Sequence, residues 1–300
     1  MNNINSSSLF HFTRKFDTLQ RIIRTGLRYS FAYEQYPKEL VQANLYPDKD
    51  INDGIITSNG VAIPMISFCD IPITRAKQHI EKYGKYMIGF DKTAFSKDFE
   101  NLINPVIYVH SPNLKDAIIN YGMENAKAYC ELLQLITNKD SVSEFVNRTS
   151  HGLLPSNQFI KKIDPLIEKR FLSNFLMGLV KPISDEIYYY YDEREWRLFM
   201  PSNVNGIDWK WGITKEEYQQ NKDAWNDDIE SYENMHIKIP WECYDEYITH
   251  IVVSEEKEID ELIEQIMDDD IVFGYENDMD YSRMKLISKI TSFERIEKDF

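Results

Sequence analysis

The sequence predicts an α+β fold. Short runs rich in β-branched and aromatic residues, bounded by Gly, Pro, Asn and Asp, indicate strands, and longer runs with apolar residues at helical spacing indicate helices. The two kinds of run do not alternate regularly as βαβ units would, which argues against a parallel α/β sheet. A chain of 300 residues with 43% hydrophobic composition is sufficient to bury a sizeable core.

The first predicted element is a strand at Leu9–Thr13, and a helix follows it directly. Thr13 is the predicted N-cap, apolar residues from Phe16 onward keep the helical period, and Gly26 supplies a stop signal. The segment from Tyr29 to Gly60 is rich in Tyr, Pro, Asn and Asp and contains turn signals. This composition predicts a long loop or lid that could close over a ligand.

Several elements follow before residue 110. In the strand predicted at Pro64–Asp70, Met65, Ser67 and Cys69 share one face, and the Ser67 hydroxyl either bonds to the backbone or contacts a ligand. The other elements are a helix capped by Thr74 and ended by Gly84, a strand at Tyr86–Phe90, and a buried strand at Asn104–Val109.

Two long helices come next, from Asn113 to Ile136 and from Asn157 to Val180, joined by a polar linker at 138–156. They predict a helical insertion, so we divide the chain into an N-terminal half of the core (1–110), the insertion (111–182) and a C-terminal half with an acidic tail (183–300). The last part contains a predicted surface excursion at 203–235, strands at His236–Pro240 and Tyr247–Ser254, a helix at Ile259–Met267, and a closing strand at Met284–Ile290.

The stretch Tyr188–Pro201 combines four consecutive tyrosines with a charged motif. As a strand it would alternate its side chains, with Glu193, Glu195 and Arg197 on one face and Trp196 and Leu198 packed against the core on the other. A helix is the alternative, in which Glu193 and Arg197 would pair four residues apart. The aromatic residues and the closing Pro201 favour the strand. Its charged face either builds a site or simply meets solvent.

Charge and motif content exclude several functions. The net charge is −15, and the last hundred residues carry 26 acidic and 10 basic residues, so nonspecific duplex DNA binding is not expected. The acidic third either docks on a basic partner or forms a solvated face. The sequence lacks a run long and apolar enough for a membrane span and lacks a secretory signal, which predicts a cytoplasmic protein. Three dispersed cysteines and the absence of paired histidines predict neither a disulfide framework nor a metal site.

Five motifs occur in an order that resembles AbiGi-type abortive phage resistance proteins of bacteria. The motifs are FHFT at Phe10–Thr13, SFCDIP at Ser67–Pro72, the segment His79–Phe90, NPVIYV at Asn104–Val109, and EREWR at Glu193–Arg197. The resemblance covers most of residues 9–200 and little of the last hundred. It implies a component of an abortive infection system, in which members are often labelled the antitoxin partner of a nucleotidyltransferase-like toxin.

The same motif order is similar to that of divergent ADP-ribosyltransferases, which implies a mixed, mainly antiparallel sheet of that type and NAD as the cofactor. In those enzymes a His or Arg lies on the first strand, a Ser or Tyr on a second, and a Glu on a later strand. The matching positions are His11, Ser67 and the pair Glu193 and Glu195. The sequence departs from that pattern in its long insertion before the Glu strand and in lacking a Ser-Thr-Ser triplet.

This second resemblance implies roles for seven residues. Glu195 would stabilise the oxocarbenium-like ribose while nicotinamide leaves, and Glu193 would orient or deprotonate an unknown macromolecular acceptor. A lone histidine near apolar residues is more often part of a core than of a site. The implied NAD-binding residues are His11 and Thr13 on the adenosine side, Ser67 and Tyr83 at the nicotinamide pocket, and Arg197, which either meets a phosphate or neutralises the glutamates.

A different class of function remains open from the sequence. A non-catalytic antitoxin or sensor would bind a cognate defence-system protein through the acidic C-terminal third. A carboxylate-based glycosidase or nuclease is a weaker alternative, because no further acid cluster or metal pattern accompanies the glutamate pair.

Overall fold

A computed structural model describes residues 6–45, 59–98, 103–137, 178–182, 190–199, 203–204, 207–208, 212–220, 236–237, 247–268 and 279–299. Within them the chain forms one large sheet covered by helices on both faces. The strands are β1 (Ser8–Thr13), β2 (Leu27–Arg28), β3 (Ser30–Glu34), β4 (Val61–Cys69), β5 (Tyr86–Asp91), β6 (Ile103–Pro105), β7 (Ile107–Val109), β8 (Val180–Pro182), β9 (Glu195–Phe199), β10 (Asn203–Val204), β11 (Ile207–Asp208), β12 (Ile213–Thr214), β13 (His236–Ile237), β14 (Ile248–Val253) and β15 (Ile290–Ser292).

The helices alternate irregularly with these strands. They are α1 (Phe16–Thr25), α2 (Lys38–Leu45), α3 (Lys77–Tyr83), α4 (Lys92–Asp98), α5 (Pro112–Thr137), α6 (Lys215–Gln220), α7 (Glu258–Met267), α8 (Met279–Ile287) and α9 (Phe293–Asp299). Two short 3₁₀ turns lie at Ile73–Arg75 and Tyr190–Glu193.

The main sheet is mixed and mainly antiparallel, as the sequence predicts. Its strand order is β15-β14-β5-β1-β4-β9-β6, and β3 and β12 also pair with β4. Only the edge pair of β14 and β15 is parallel among the described strands of this sheet. Three two-stranded sheets lie beside it, formed by β10 with β11, β13 with β2, and β7 with β8.

β4 pairs with more strands than its neighbours do, and two different strands, β1 and β3, share one of its edges. β1 pairs with β4 only at Phe10 and Cys69, whereas β3 pairs with the other end of β4, from Val61 to Met65. In the described part of the chain, Ser67 therefore has a ladder partner only on the opposite edge, in β9. The divergence of β1 and β3 leaves an opening in the sheet at Ser67.

Apolar side chains pack against both faces of this sheet. On one face Ile66, Phe68 and Leu198 join a large core with α1, α4, α7 and α8. On the other face two smaller clusters form, one around Met65 and Phe199 beneath α2 and α5, and one around Phe10 and Cys69 beneath α3 and α9. The opening at Ser67 lies between these two clusters because Ser67 stands between Met65 and Cys69 on the same face of β4.

The regular core elements confirm the sequence prediction. β1, β4, β5, β14, α1, α5 and α7 lie within a few residues of their predicted bounds. Gly26 and Gly84 end α1 and α3 as expected, with positive φ angles of 89° and 115°. At Gly84 an added Cβ would lie 2.3 Å from the Thr13 carbonyl oxygen, so the glycine allows α3 to approach the end of β1 closely.

Several predicted elements are wrong because tertiary pairing overrides local composition. The loop predicted for Tyr29–Gly60 contains β3, whose Phe31 pairs with Pro64, and also α2. The strand predicted at Asn104–Val109 is two short strands, β6 and β7, in different sheets. The strand predicted at Met284–Ile290 is the end of α8 followed by β15, which does extend the sheet.

The predicted helix caps are also wrong. The N-cap of α1 is Lys15, and that of α3 is Ala76, in both cases without a side-chain hydrogen bond. Thr13 is instead the last residue of β1, and Thr74 lies in a 3₁₀ turn after Pro72. Thr13 pairs with Tyr86 of β5, and the turn around Thr74 is closed by backbone hydrogen bonds from Arg75 and Ala76.

Other predictions fall wholly or partly on residues outside those described. The helix predicted at 157–180 is one of them, and its last residue, Val180, begins β8. The linker at 138–156 and the last three residues of the strand predicted at 236–240 lie outside the described residues too. In the predicted excursion at 203–235 the described pieces are β10, β11, β12 and α6. The predicted domain bounds at 110 and 182 stay predictions, although β7 and β8 pair beside these positions.

Candidate functional site

A cavity of about 600 Å³ opens where β1 and β3 diverge along β4. This volume is within the range of small-molecule and cofactor sites. Charged groups on its wall come from four separate parts of the chain, β3, α3, β8 and the turn that leads into β9: Glu34, Lys82, Lys181, Glu193 and Glu195. Apolar groups complete the wall, among them Phe12, Ala32, Met65, Ile118 and Val180. A flat, partly polar ligand fits such a lining.

His11, Ser67 and Glu195 form a connected chain of hydrogen bonds at this opening. The Ser67 hydroxyl donates to Oε1 of Glu195 at 2.8 Å, and Nδ1 of His11 lies 2.9 Å from the backbone oxygen of Ser67. The strand register causes this, because Ser67 pairs with Arg197 and Cys69 with Glu195, so all four side chains share one face. These three residues, which match positions of the ADP-ribosyltransferase pattern, therefore meet in one cavity.

The same geometry fixes the tautomer of His11. A carbonyl oxygen only accepts, so Nδ1 of His11 carries the proton, and Nε2 of the neutral ring is an acceptor. Burial lowers the pKa of His11, partly opposed by the hydrogen bond to Ser67, so the ring is neutral at pH 7. An imidazole in this state can accept a hydrogen bond from a ligand hydroxyl.

Glu195 is a buried carboxylate with four donors. Besides Ser67, Arg197 donates from Nε to Oε1 at 2.8 Å and from Nη2 to Oε2 at 3.1 Å, and Lys181 donates to Oε2 at 3.0 Å. Burial raises the pKa of this carboxyl, but Arg197 and Lys181 outweigh burial and hold the pKa well below its usual range. Glu195 is therefore ionised at physiological pH, with its four lone-pair sites used.

Glu193 lies in the turn before β9 rather than on the strand. Arg194, with a φ of 43°, ends the turn in the left-handed region, and its carbonyl oxygen accepts a hydrogen bond from the amide of Asp70. The Glu193 carboxylate is 1% exposed and accepts from Lys82 at 2.7 Å, Tyr83 at 2.5 Å and Lys181 at 2.7 Å. Burial raises the pKa of Glu193, but the two lysines and Tyr83 outweigh burial, so the net pKa is lowered.

Glu34 is the third carboxylate of the cavity. Nη2 of Arg197 donates to Oε1 of Glu34 at 2.5 Å, so one guanidinium nitrogen bridges Glu34 and Glu195. Burial raises the pKa of Glu34 and outweighs the opposing effect of Arg197. The site thus holds carboxyl groups with opposite pKa shifts, an arrangement that separates acid and base roles.

Arg197 lies behind the cavity wall and donates hydrogen bonds to two of the wall carboxylates, Glu34 and Glu195. Its side chain is fully buried, and besides the two carboxylates it donates from Nη1 to the backbone oxygen of Gly178 at 2.5 Å. The neighbouring carboxylates raise its pKa despite burial. Through these bonds Arg197 connects β9 to β3 and to the segment before β8. Removing one partner from a buried ion pair typically costs about 3–5 kcal/mol of stability.

Five of the seven predicted site residues line the cavity: His11, Ser67, Tyr83, Glu193 and Glu195. Thr13 and Arg197 are not among the lining residues. Thr13 ends β1 opposite Tyr86, and its predicted contact with adenosine stays a prediction. Arg197 is fully buried and pairs with Glu195 and Glu34, and both of the roles considered for it stay predictions.

Sequence reasoning missed Glu34, Lys82 and Lys181. Glu34 falls in the segment predicted as a loop, although Phe31, Ala32 and Tyr33 give that segment a strand-like composition that could have revealed it. Lys181 precedes a proline after a long insertion, and Lys82 lies near the end of α3. No sequence signal marks either lysine, because their role depends on contacts with Glu193 from distant parts of the chain.

Neither a cluster of metal-binding side chains nor a membrane-spanning helix occurs among the described residues. His, Cys, Asp and Glu side chains there form no group of three that could hold a metal ion. None of the helices in the described part is both long and apolar enough to cross a bilayer.

Comparison with known proteins identifies a family. No curated protein and no solved structure matches the chain. A family model described as "Putative abortive phage resistance protein AbiGi, antitoxin" matches residues 32–239, which is more than half of the chain. This segment starts after the Phe10–Thr13 motif and extends beyond residue 200, so its bounds differ from those of the motif resemblance. It contains Glu34, Ser67, Glu193 and Glu195. The chain belongs to the AbiGi family.

Proposed function

We propose that the protein acts in phage defence in the bacterial cytoplasm as an ADP-ribosyltransferase-like enzyme that cleaves the nicotinamide–ribose bond of NAD. The observation that carries the proposal is the hydrogen-bonded chain of His11, Ser67 and Glu195 on the wall of one cavity. The abortive phage resistance description of the family supports the biological setting. The acceptor of ADP-ribose is either a macromolecule or water.

Glu195 is the proposed catalytic carboxylate. As nicotinamide leaves, positive charge develops on the ribose, and a carboxylate bonded to a ribose hydroxyl stabilises that state. The low pKa of Glu195 supports this role because it keeps the group ionised. Ribose must replace one of its four donors, and hydrogen bonds from charged donors are the stronger ones. The neutral Ser67 hydroxyl is therefore the donor that turns toward the ligand.

The rest of the cavity suits the two ends of a dinucleotide. Nε2 of His11 is available as an acceptor for a hydroxyl of the second ribose. Tyr83 and Tyr190 line the same cavity and offer ring faces for nicotinamide or adenine. Lys82 lies at the cavity with a side chain that is 38% exposed, where it could reach a phosphate.

The test is nicotinamide release from labelled NAD by the purified full chain. We expect turnover by the wild type and, for Glu195→Gln, a loss of about 100-fold or more, because the charge that stabilises the transition state is removed. Asp192→Asn is the matched control, since Asp192 is an exposed acid three positions earlier, in the turn before β9. Thermal unfolding of both variants shows whether they fold. An inactive wild type, or a folded and fully active Glu195→Gln, overturns the proposal.

The second candidate is a non-catalytic antitoxin that binds a partner toxin. The word antitoxin in the family description favours it, and the acidic C-terminal third offers a surface for a basic partner. In this case Glu195→Gln would still protect cells that express the partner toxin. Reversing the exposed acids Glu255, Asp260 and Glu261 to lysine would abolish protection. The opposite pattern, with protection lost only in Glu195→Gln, favours the enzyme.

A further inference from the structure

We propose that Glu34 is the base that takes the proton from the acceptor when ribose is transferred, an inference that rests on the NAD-cleaving function proposed above. The sequence analysis gave this task to Glu193. Three features of the site argue for Glu34: its bridge to Glu195, its access to the cavity, and its charge environment.

The bridge places Glu34 beside the reacting carbon. One nitrogen of Arg197, Nη2, bonds Oε1 of Glu34 at 2.5 Å and Oε2 of Glu195 at 3.1 Å. Two carboxylates that share one nitrogen are close neighbours. A ribose held by Glu195 therefore presents its anomeric carbon within reach of an acceptor bonded to Glu34. Most enzymes that cleave glycosidic bonds use a pair of carboxyl groups in this way.

Access distinguishes Glu34 from Glu193. The Glu193 carboxylate is 1% exposed and already accepts from Lys82, Tyr83 and Lys181. With 1% exposure, this carboxylate offers a new donor almost no access. The Glu34 side chain retains 19% exposure and lines the cavity at the end of β3. An acceptor hydroxyl or water can approach it without breaking the ion pairs of Glu193.

The surroundings of Glu34 also suit proton transfer. Burial raises its pKa, while Arg197 and Lys181 lower it and Glu195 and Glu193 raise it, and Tyr36 is a further titratable neighbour. Glu195, with a lowered pKa, stays ionised throughout the reaction. A base is most effective when its pKa approaches the working pH, so of these two carboxyl groups Glu34 is the better proton acceptor.

The step balances without a further reactant. The bond between ribose C1′ and the nicotinamide nitrogen breaks, and both of its electrons leave with neutral nicotinamide. The acceptor oxygen forms the new bond to C1′. Its proton passes to the Glu34 carboxylate and then to solvent. No group is oxidised or reduced, and the net products with water are ADP-ribose, nicotinamide and a proton.

Azide tests this assignment because it is already an anion and needs no base to attack C1′. For the purified Glu34→Gln protein we expect NAD turnover to fall by about 10²–10⁴-fold with little change in KM. Added azide should restore nicotinamide release and yield ADP-ribosyl azide, detected by mass spectrometry. The acidic limb of the wild-type pH profile should disappear. Glu34→Asp, which keeps a carboxylate, should retain part of the activity.

The controls separate this inference from the proposed function. Glu81→Gln makes the same charge change at an exposed position on α3 and should behave as the wild type. Azide should not restore Glu195→Gln, because that variant lacks the group that stabilises the transition state. A wild type that fails to release nicotinamide overturns the proposed function. An active wild type with a fully active Glu34→Gln, or a slow Glu34→Gln that azide does not restore, overturns the assignment of Glu34 alone.

Discussion

The two faces of β4 and β9 are built from alternate residues of the same strands, but one is apolar and the other is polar and charged. On one face Ile66, Phe68 and Leu198 are almost completely buried in the main core. On the other, Ser67, Glu195 and Arg197 are also buried or nearly so, yet they are polar or charged. The first face gains stability from apolar burial. The second depends on charges that must match one another.

On the charged face, which is the side of β4 and β9 that meets the cavity, acidic and basic groups are equal in number and lie within ion-pair distance of one another. Three carboxylates, Glu34, Glu193 and Glu195, form ion pairs there with three cations, Lys82, Lys181 and Arg197. Buried ion pairs seldom stabilise a fold more than apolar residues of the same volume would. Under the proposed function these charges serve the cavity, while the apolar side chains of the opposite face hold the sheet together.

Replacing Arg197, at the centre of the charged face, should cause the largest loss of stability. Arg197→Met leaves Glu195 and Glu34 without their shared partner, and we expect a loss of about 3–5 kcal/mol in unfolding free energy. Urea denaturation at pH 7 measures it. In the double variant with Glu195→Gln the loss should be smaller than the sum of the single losses. Additive losses would show that the two side chains do not interact.

Breaking the apolar face should cost nearly as much but in a different way. Leu198→Ala removes a fully buried side chain from the main core, with an expected loss of about 2–5 kcal/mol. Because no charge is involved, this loss should be the same at pH 7 and pH 4 in urea denaturation. A loss that depends on pH as strongly as that of Arg197→Met would contradict the division between the two faces.

Removing the Ser67 hydroxyl should sharpen the comparison within the cavity. Ser67→Ala deletes one of the four donors to Glu195, and hydrogen bonds to charged groups are worth about 1.5–3 kcal/mol. Cys69→Ser is a useful companion, since it changes a buried neighbour on the same face of β4 without touching this hydrogen bond. Calorimetric unfolding compares the two. Wild-type stability for Ser67→Ala would show that the bond to Glu195 contributes nothing.

The smallest expected effects are those of pH. Glu193 and Glu195 have lowered pKa values in the folded state, so they stabilise it above their ordinary pKa of 4.5, and this stability is lost as pH falls below that value. Glu34 has a raised pKa, so its burial destabilises the protein at high pH, and the protein recovers this stability as pH falls toward 4.5. Glu34→Gln should abolish the second change and keep the first. Unfolding free energies measured from pH 8 to pH 3 check both signs.

The sequence predicted the parts of the fold whose pattern is local. Alternating apolar residues in β1, β4 and β14 and the helical period of α1 and α7 indicate their structure without reference to the rest of the chain. It failed at β3 and at the pair of β6 and β7. In these segments Phe31, Asn104 and Tyr108 take strand geometry from partners distant in sequence.

The candidate site was predictable to the same extent. His11, Ser67 and Glu195 each lie on a strand with a strong local pattern, and their meeting follows from the strand order. Glu34 and Lys181 lie on segments whose local pattern is weak or interrupted. Their place in the site follows only from the ion pairs with Arg197 and Glu193. Charge pairing between distant segments leaves no period in the sequence to detect.

The central claim is that Glu195 holds a ribose hydroxyl of NAD in the cavity at the opening of the sheet. The most direct test is a crystal structure of the full chain soaked with an unreactive carbocyclic analogue of NAD. The account predicts the analogue in the cavity, with a ribose hydroxyl bonded to Glu195 and the Ser67 hydroxyl turned toward the ligand. An analogue bound elsewhere, or a cavity that stays empty while Ser67 remains bonded to Glu195, would contradict it.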